Sequence, residues 1–434
     1  MLLRVTMQNM LSFYNETTFD MFPNPNRKSF PNHVNDTGKI PLLKHALIYG
    51  ANGSGKSNFV KALQFLKEFI TVENFLEKEY IDLNNFFFQL VKSNRKPMKI
   101  EIEFYTKEKY YIYSVEIKRT SGIQIHETLK LSGLGIESAD TLIFERKGNV
   151  VKPTSDNTLS QQLLKKNTNS SVIPLNLRYP ILKDEHVKNV YEYFKNKFEV
   201  VTINSMIPIL IGLMSKNKEL FNFTNKVLSS LHITNSLKVG ETPLEKWLSN
   251  KFNKSVIQNK LSQNPVSDSY DLSVFHENRN RFNLTLKNGV QTVQEFLFEQ
   301  IGIGGIKKKM NIATQSDGTV RLLTLIPALF DSIKGQVVII DEVENSMHPD
   351  LIFSLLKYVF NSTSAGQLIC TTHLTKLQNQ EELVRPDELW IVEKQDGNSE
   401  MRSLNDYKIN PTMDIRKGYE QGRYGGIPQI SNIE

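Results

Sequence analysis

An α/β fold, built around a phosphate-binding loop between a buried strand and a helix, is predicted by three stretches of this 434-residue sequence. The first is HALIYGANGSGKSNFVKAL, where an apolar run meets a glycine-rich loop and then a helical pattern. The second is VVIIDEVENSMHPDL (337–351), whose four aliphatic residues end in Asp341 and Glu342. The third is QLICTTH (367–373), another apolar run that ends on polar residues. Short strands buried on both faces belong to parallel sheets, and the carboxyl ends of such strands are where ligands bind.

The elements follow in order. Leu3, Val5 and Met7 alternate, as do the apolar residues of KIEIEFYT (99–106), YYIYSVEI (110–117) and TLIFERKG (141–148), so the first third is predicted to hold strands with one buried face, an N-terminal antiparallel β lobe. The period then changes. Val187, Val190, Tyr191, Phe194 and Phe198 recur at helical spacing, as do Leu220, Phe223, Val227, Leu228 and Leu231. Residues 151–300 are therefore expected to form a mainly helical insertion serving dimerisation or partner binding. The polar stretches SDNTLSQQ (155–162) and LSQNPVSDS (261–269) are expected as loops at its edges. Beyond residue 310 the pattern predicts a helix over 319–331, a strand over 336–341, a helix from Pro349 to Phe360, the strand QLICTTH and the strand ELWIVEK (388–394). Residues 1–150 and 301–434 are expected to fold together as one head.

Bulk composition excludes several classes. At 39% hydrophobic and 23% charged residues, the chain has the make-up of a globular protein. The apolar run MIPILIGLM (206–214) is far shorter than the roughly 20 residues a membrane-spanning helix needs. The first residues lack the apolar core and small-residue cleavage site of a secretory signal, so no membrane association and a cytoplasmic location are expected. Cys370, the single cysteine, excludes an internal disulfide and a cysteine-rich zinc site, and its apolar neighbours suit a small buried hydrophobe. The net charge of +7 is concentrated in residues 151–300, with 19 Lys and Arg against 13 Asp and Glu. That density suits either a solvated helical face or a nucleic-acid surface in which Lys246, Lys251 and Lys254 take part.

Gly50-Ala-Asn52-Gly53-Ser54-Gly55-Lys56-Ser57 is GxxxxGK[ST] in the strand–loop–helix context that this motif requires. Its backbone N–H groups curl around phosphates, Lys56 reaches the outer phosphates of ATP, and Ser57 ligates Mg²⁺. Asp341 completes the metal shell, and Glu342 is placed to polarise an attacking water. Two adjacent carboxylates would alternatively cap a neighbouring helix. Pro349 suits the first position of the helix that follows. His373, at the end of the next strand, points towards the γ-phosphate or is a satisfied structural histidine. Ser316 and Gly318 in QSDGTVRLL offer a hydroxyl, an unobstructed backbone and a helix N-terminus to an anion, or simply an N-cap. Gln89 in NNFFFQL is a candidate metal-shell glutamine or a residue bordering the core.

The order of these parts resembles that of ABC-type and SMC-type ATPase heads, and SDGTVRLL occupies the slot of their signature motif. SDGTVRLL, DEVENSMHPDL, TTHLTKL, DELWIVEK and the tail GYEQGRYGGIP (418–428) are similar to the ABC-like AAA-type ATPases of bacterial abortive-infection and restriction-linked loci, the RloA and AbiLi group, and to the PARIS ATPase. The resemblance covers most of residues 1–150 and 300–434. It implies that Lys56 and Ser57 bind ATP and Mg²⁺, that Asp341 and Glu342 support hydrolysis, that His373 senses the γ-phosphate, and that Ser316 and Gly318 act across a head-to-tail homodimer or larger oligomer. His348 stands where transporter-type heads carry an aspartate, as in relatives of the overcoming-lysogenisation-defect type. The group further implies an anti-phage sensor that answers a phage trigger protein and controls a toxic effector, often a nuclease. The 61 residues after His373 contain no Asp-x-Asp pair, so the effector is expected to be separately encoded. A DNA-repair clamp of SMC type and a transporter subunit are the competing expectations; the first lacks a long coiled coil, and the second would need a shorter insertion.

Overall fold

The computed structural model describes residues 1–72, 75–92, 96–120, 122–148, 150–153, 184–202, 210–249, 255, 258, 269–273, 281–287, 289–362, 365–408 and 413–427. Its strands in chain order are β1 (Leu2–Gln8), β2 (Thr17–Asp20), β3 (Val34–Asp36), β4 (Pro41–Leu43), β5 (His45–Tyr49), β6 (Met98–Thr106), β7 (Lys109–Arg119), β8 (Ile123–Leu131), β9 (Thr141–Lys147), β10 (Val150–Pro153), β11 (Phe198–Val201), β12 (Ser236–Pro243), β13 (Ser269–Ser273), β14 (Arg281–Lys287), β15 (Val290–Ile301), β16 (Lys307–Asn311), β17 (Val337–Ile340), β18 (Gln367–Thr371), β19 (Leu389–Gln395) and β20 (Asn398–Ser403). The helices are α1 (Lys56–Thr71), α2 (Glu185–Asn196), α3 (Leu210–Lys216), α4 (Lys218–Ser230), α5 (Leu244–Ser249), α6 (Asp317–Ile333), α7 (Pro349–Phe360) and α8 (Ile415–Glu420). The chain divides into two units: Met1–Ile203 with Asp331–Glu344 and Leu356–Glu434, and Asn204–Phe330 with Asn345–Leu355.

The first unit holds two sheets. An antiparallel sheet runs β10-β9-β8-β7-β6-β1-β2, and a mostly parallel one runs β11-β17-β18-β5-β19-β20. β5, β17 and β18 are buried at every position, as aliphatic strands covered on both faces must be. Helix α1 supplies Phe59, Leu63 and Leu66 to the core that it shares with Val5, Ile100 and Ile102 of the antiparallel sheet and Ile48, Ile339 and Ile369 of the parallel one. Each of these six-to-seven-strand layers thus closes on the helix that begins at the P-loop. The α/β architecture with an antiparallel N-terminal lobe is as expected.

The segment from 151 to 300 departs from the expected helical insertion. Helices α2 and α4 stand where the spacing placed them, but Phe198 opens β11, which pairs in parallel with β17, so residues 184–202 belong to the first unit. In the second unit a five-stranded antiparallel sheet, β12-β15-β14-β13 with β16 on β15, draws its strands from residues 236–311. Its alternation is diluted by Gly240 and Pro243 in β12 and by polar residues on both faces of β15, which weakens the period-two signal. Lys251, Lys254 and the loop expected at 155–162 lie outside the described residues, as does nearly all of that expected at 261–269. Among the described residues, no helix is long and apolar enough to cross a membrane.

Glu199 on β11 carries a consequence for stability. Burial, and then the negative charge of Asp331, push its carboxyl up to about 7, with Lys67 of α1 opposing. Because this folded value lies above the ordinary one of 4.5, the folded state holds an extra proton between the two. Stability from this group is therefore full below the ordinary value and falls as pH rises through about 7. A Glu199→Gln protein should be stabilised relative to wild type by on the order of 1–2 kcal/mol at about pH 8 and hardly at all at about pH 5. Thermal midpoints of the two proteins at both pH values test this, and an equal difference at each would refute it.

Candidate active site

Strand β5 delivers the chain to Gly50, and the loop that follows turns on glycines with φ of 155° at Gly50, 75° at Gly53 and 119° at Gly55. At Gly50 a Cβ would strike the Val392 carbonyl and, at 2.6 Å, Ser54 Oγ; at Gly55 it would meet Ser399 Oγ and Ser12 Oγ. Both glycines are thus required by conformation and by space. Gly55 caps α1, so the positive end of a 16-residue helix opens into the loop.

Lys56 is buried, and its Nζ donates to the carbonyls of Gly50 at 2.8 Å and Ala51 at 3.1 Å. Burial pushes its ammonium down to about 8, while Glu342, Asp341 and Glu344 act to hold the charge. Residues 52–58 line a cleft of about 270 Å³ together with Glu342 and His373.

The opposite wall comes from β17 and β18. Ser57 Oγ donates to Asp341 Oδ1 at 3.2 Å, and the Thr371 hydroxyl donates to the same oxygen at 2.6 Å. Thr371 Oγ1 in turn accepts the Glu342 N–H at 2.8 Å. That bond holds Glu342 at a φ of 47°, a left-handed conformation uncommon outside glycine and costly unless its surroundings enforce it. Glu344 Oε1 accepts the His373 N–H at 2.6 Å, while its buried Oε2 has no hydrogen-bond partner. Desolvation, then the Lys56 charge, lowers the His373 imidazole below its ordinary value, so it is neutral at neutral pH.

The donor set fits Mg²⁺. A serine hydroxyl and a carboxylate oxygen at 3.2 Å stand at about the separation of adjacent ligands in an octahedral shell with metal–oxygen distances of about 2.1 Å. Gln89 does not join them. Its side chain is exposed and its amide donates to the carbonyls of Asn84 and Phe87, so a local turn of the chain between α1 and β6 engages the residue that was expected in the metal shell.

Ser316 and Gly318 lie in the second unit. Ser316 Oγ accepts the Thr319 N–H at 3.2 Å and shares a 3.0 Å hydrogen bond with Thr319 Oγ1, so it caps the 17-residue α6 while its side chain stays exposed. A Cβ on Gly318 would come within 2.7 Å of the Ser346 carbonyl, which explains the glycine by close backbone approach. His348 is exposed, and its Nδ1 accepts the Asp350 N–H at 3.2 Å in the first turn of α7.

Several supporting residues escape sequence reasoning. Buried Ser399 on β20 donates to the Ser54 carbonyl at 2.6 Å and shares a 2.8 Å hydrogen bond with Ser12 Oγ, bracing the P-loop. The C-terminal GYEQGRYGG stretch reaches the same loop: a Cβ on Gly426 would lie 3.4 Å from Gly50 Cα, and Tyr419 Oη donates to the Gly426 carbonyl at 3.0 Å. Ser399 lies 345 residues from Ser54, and no local spacing signals that such distant segments meet at the loop.

The chain matches, over residues 46–377, the family described as "AAA domain, putative AbiEii toxin, Type IV TA system". No curated protein matches it. Among solved structures it is similar to the SMC head domain from Thermotoga maritima, at 13% identity over 93% of this chain and 98% of that one, with a TM-score of 0.42. An SmcHead bound to the C-winged helix domain of ScpA is 12% identical over 93% and 97%, with a TM-score of 0.45. An Smc head with an extended coiled coil, bound to the C-terminal domain of ScpA derived from Pyrococcus furiosus, is 15% identical over 97% and 99%, with a TM-score of 0.43.

Proposed function

The chain belongs to the AAA-domain family whose model spans residues 46–377, and from that premise we propose that it is an ATPase serving as the sensor and scaffold of an anti-phage, abortive-infection system. The observation that carries the catalytic part is the single cleft shared by the P-loop, Glu342 and His373, with Ser57 bonded to Asp341. The family's own description, which names an abortive-infection toxin, supports the defence part.

In this reading Lys56 leaves the Gly50 and Ala51 carbonyls to neutralise the outer phosphates of ATP, while the P-loop N–H groups and the α1 N-terminus cradle them. Ser57 and Asp341 would hold Mg²⁺, which would supply fixed positive charge to offset the charge of the phosphates. Glu342 takes a proton from the water that attacks the γ-phosphorus, the bond to the β–γ bridging oxygen breaks, and ADP and phosphate leave. His373, neutral and at the edge of the cleft, hydrogen-bonds a γ-oxygen. Ser316 and Gly318 close a second molecule's site in a head-to-tail dimer. The ATP-bound assembly restrains a separately encoded cytoplasmic effector, a nuclease, and a phage protein releases it. This is the role of the RloA and AbiLi type.

Lys56→Ala tests the premise. Losing a charge-assisted hydrogen-bond donor to phosphate costs about 1.5–3 kcal/mol, so ATP affinity should fall roughly 10- to 150-fold by nucleotide titration. The same variant, expressed with its neighbouring effector gene, should lose protection against phage plaque formation. Wild-type ATP affinity would refute the phosphate cradle; lost affinity with undiminished protection would refute the ATP-dependent defence role.

A further inference from the structure

A second cluster of polar side chains, remote in sequence from the P-loop motif, is buried in the first unit. His33 lies in the turn before β3, His45 is the first residue of the P-loop strand β5, and Glu388 precedes β19, the neighbour of β5 in the sheet. Their exposures are 1%, 4% and 0%. One donor atom from each lies within 4.8 Å of the others.

The arrangement is incomplete as a hydrogen-bond network. His33 Nδ1 sits 2.9 Å from Glu388 Oε1 and 3.1 Å from Oε2. His45 Nδ1 faces the same carboxylate from 3.6 Å, beyond hydrogen-bonding distance, and is a buried nitrogen with no hydrogen-bond partner. An unsatisfied buried polar atom costs about 1–3 kcal/mol. The rings are held in place regardless: His33 stacks on Phe30 at 4.8 Å and His45 on Phe360 at 3.9 Å. The carboxylate is held too, since Glu388 Oε2 accepts the Arg385 N–H at 2.8 Å, while the Arg385 guanidinium is engaged by Asp387.

We infer that His33, His45 and Glu388 form a metal site for a divalent transition ion, Zn²⁺, bound through the two Nδ1 atoms and the Glu388 carboxylate. A tetrahedral ion with bonds of about 2.0–2.1 Å sets its donors roughly 3.3 Å apart, and the separations of the two Nδ1 atoms from Glu388 Oε1, 2.9 Å for His33 and 3.6 Å for His45, straddle that figure. The three side chains supply two nitrogens and one carboxylate oxygen, and the fourth tetrahedral position is left to a non-protein ligand. Two imidazoles with a carboxylate suit zinc, whereas Mg²⁺ and Ca²⁺ favour oxygen shells. Burial also pushes the His45 imidazole down to about 4, so its ring is neutral at neutral pH and a lone pair remains for a metal. The Arg385 N–H on the carboxylate is the outer hydrogen bond that metal ligands ordinarily have. Three separate segments would then be tied together, one of which runs directly into Gly50.

Elemental analysis of the full chain, purified without chelator, should find one zinc per chain. Metal-stripped protein titrated with Co²⁺ should develop the visible d–d bands of tetrahedral cobalt, and Zn²⁺ should bleach them. His45→Gln and Glu388→Gln should each abolish the bands, while Asp341→Asn, which removes a carboxylate at the P-loop cleft and none from the cluster, should retain them. The inference is overturned if wild-type protein carries no zinc and gives no tetrahedral bands, or if both His45→Gln and Glu388→Gln keep them. Should either variant fail to fold, the wild-type cobalt spectrum and its bleaching by zinc still decide.

Discussion

A Glu342→Gln protein should bind ATP as tightly as wild type and turn it over roughly 10²–10⁴-fold more slowly. Glutamine keeps the size and hydrogen-bonding reach of the side chain but cannot accept the proton that the attacking water must lose. The rest of the cleft has no reason to change. The left-handed backbone at residue 342 is held by its own N–H on Thr371 Oγ1, a bond that any side chain leaves intact. Lys56, Ser57 and Asp341 keep their contacts with one another and with the loop. Nucleotide titration for binding and single-turnover phosphate release for chemistry separate the two effects. Unchanged turnover would move the base to Glu344, whose Oε1 already holds the His373 N–H and whose buried Oε2 lacks a hydrogen-bond partner. A parallel loss of affinity would instead mean that Glu342 helps to hold the phosphates.

Why some of this was legible in the sequence, and some not, follows from where the information is stored. GANGSGKS and IIDE are contiguous strings whose backbone needs, positive φ at the glycines and full burial of the strand, allow few other residues, so the strand–loop–helix order around the loop is as expected and the strand expected over 336–341 spans Val337–Ile340. The bracing of that loop by Ser12, Ser399 and Gly426 is non-local, and serines and glycines carry no periodicity to mark it. The His33, His45 and Glu388 cluster is invisible for the same reason, being assembled from segments up to 355 residues apart. In the second unit the error was one of period. Phe223, Val227 and Leu228 do mark α4, but extending that helical reading past residue 235 ignored the alternation of Phe282, Leu284 and Val293, buried residues on paired strands. Gln89, read either as a metal-shell residue or as one bordering the core, is exposed, with its amide engaged by the carbonyls of Asn84 and Phe87.

A Ser316→Arg protein should bind ATP normally and fail to hydrolyse it, with turnover reduced by at least roughly 10²-fold, the scale of removing one preorganised donor to developing negative charge. Its P-loop residues are untouched, so nucleotide affinity stays with Lys56 and Ser57. The lesion falls on the second unit, where Ser316 stands exposed at the N-terminus of α6 and Gly318 keeps that end clear at the Ser346 carbonyl. A guanidinium there opposes the helix dipole that favours an anion and fills the space a γ-phosphate of a facing molecule would need. Loss of the cap to Thr319 alone costs only about 0.5–2 kcal/mol of stability, so the folded protein survives to be assayed. Mixing with Lys56→Ala sharpens the result. In a head-to-tail pair of the two variants, one composite site carries both lesions and the other joins an intact P-loop to an intact Ser316. Hydrolysis should therefore reappear when two inactive proteins are allowed to exchange subunits, and its dependence on the mixing ratio should peak near equal amounts. A Ser316→Arg protein that hydrolyses ATP at the wild-type rate would leave SDGT as nothing more than the cap of α6, and the head-to-tail site would have to be abandoned with it.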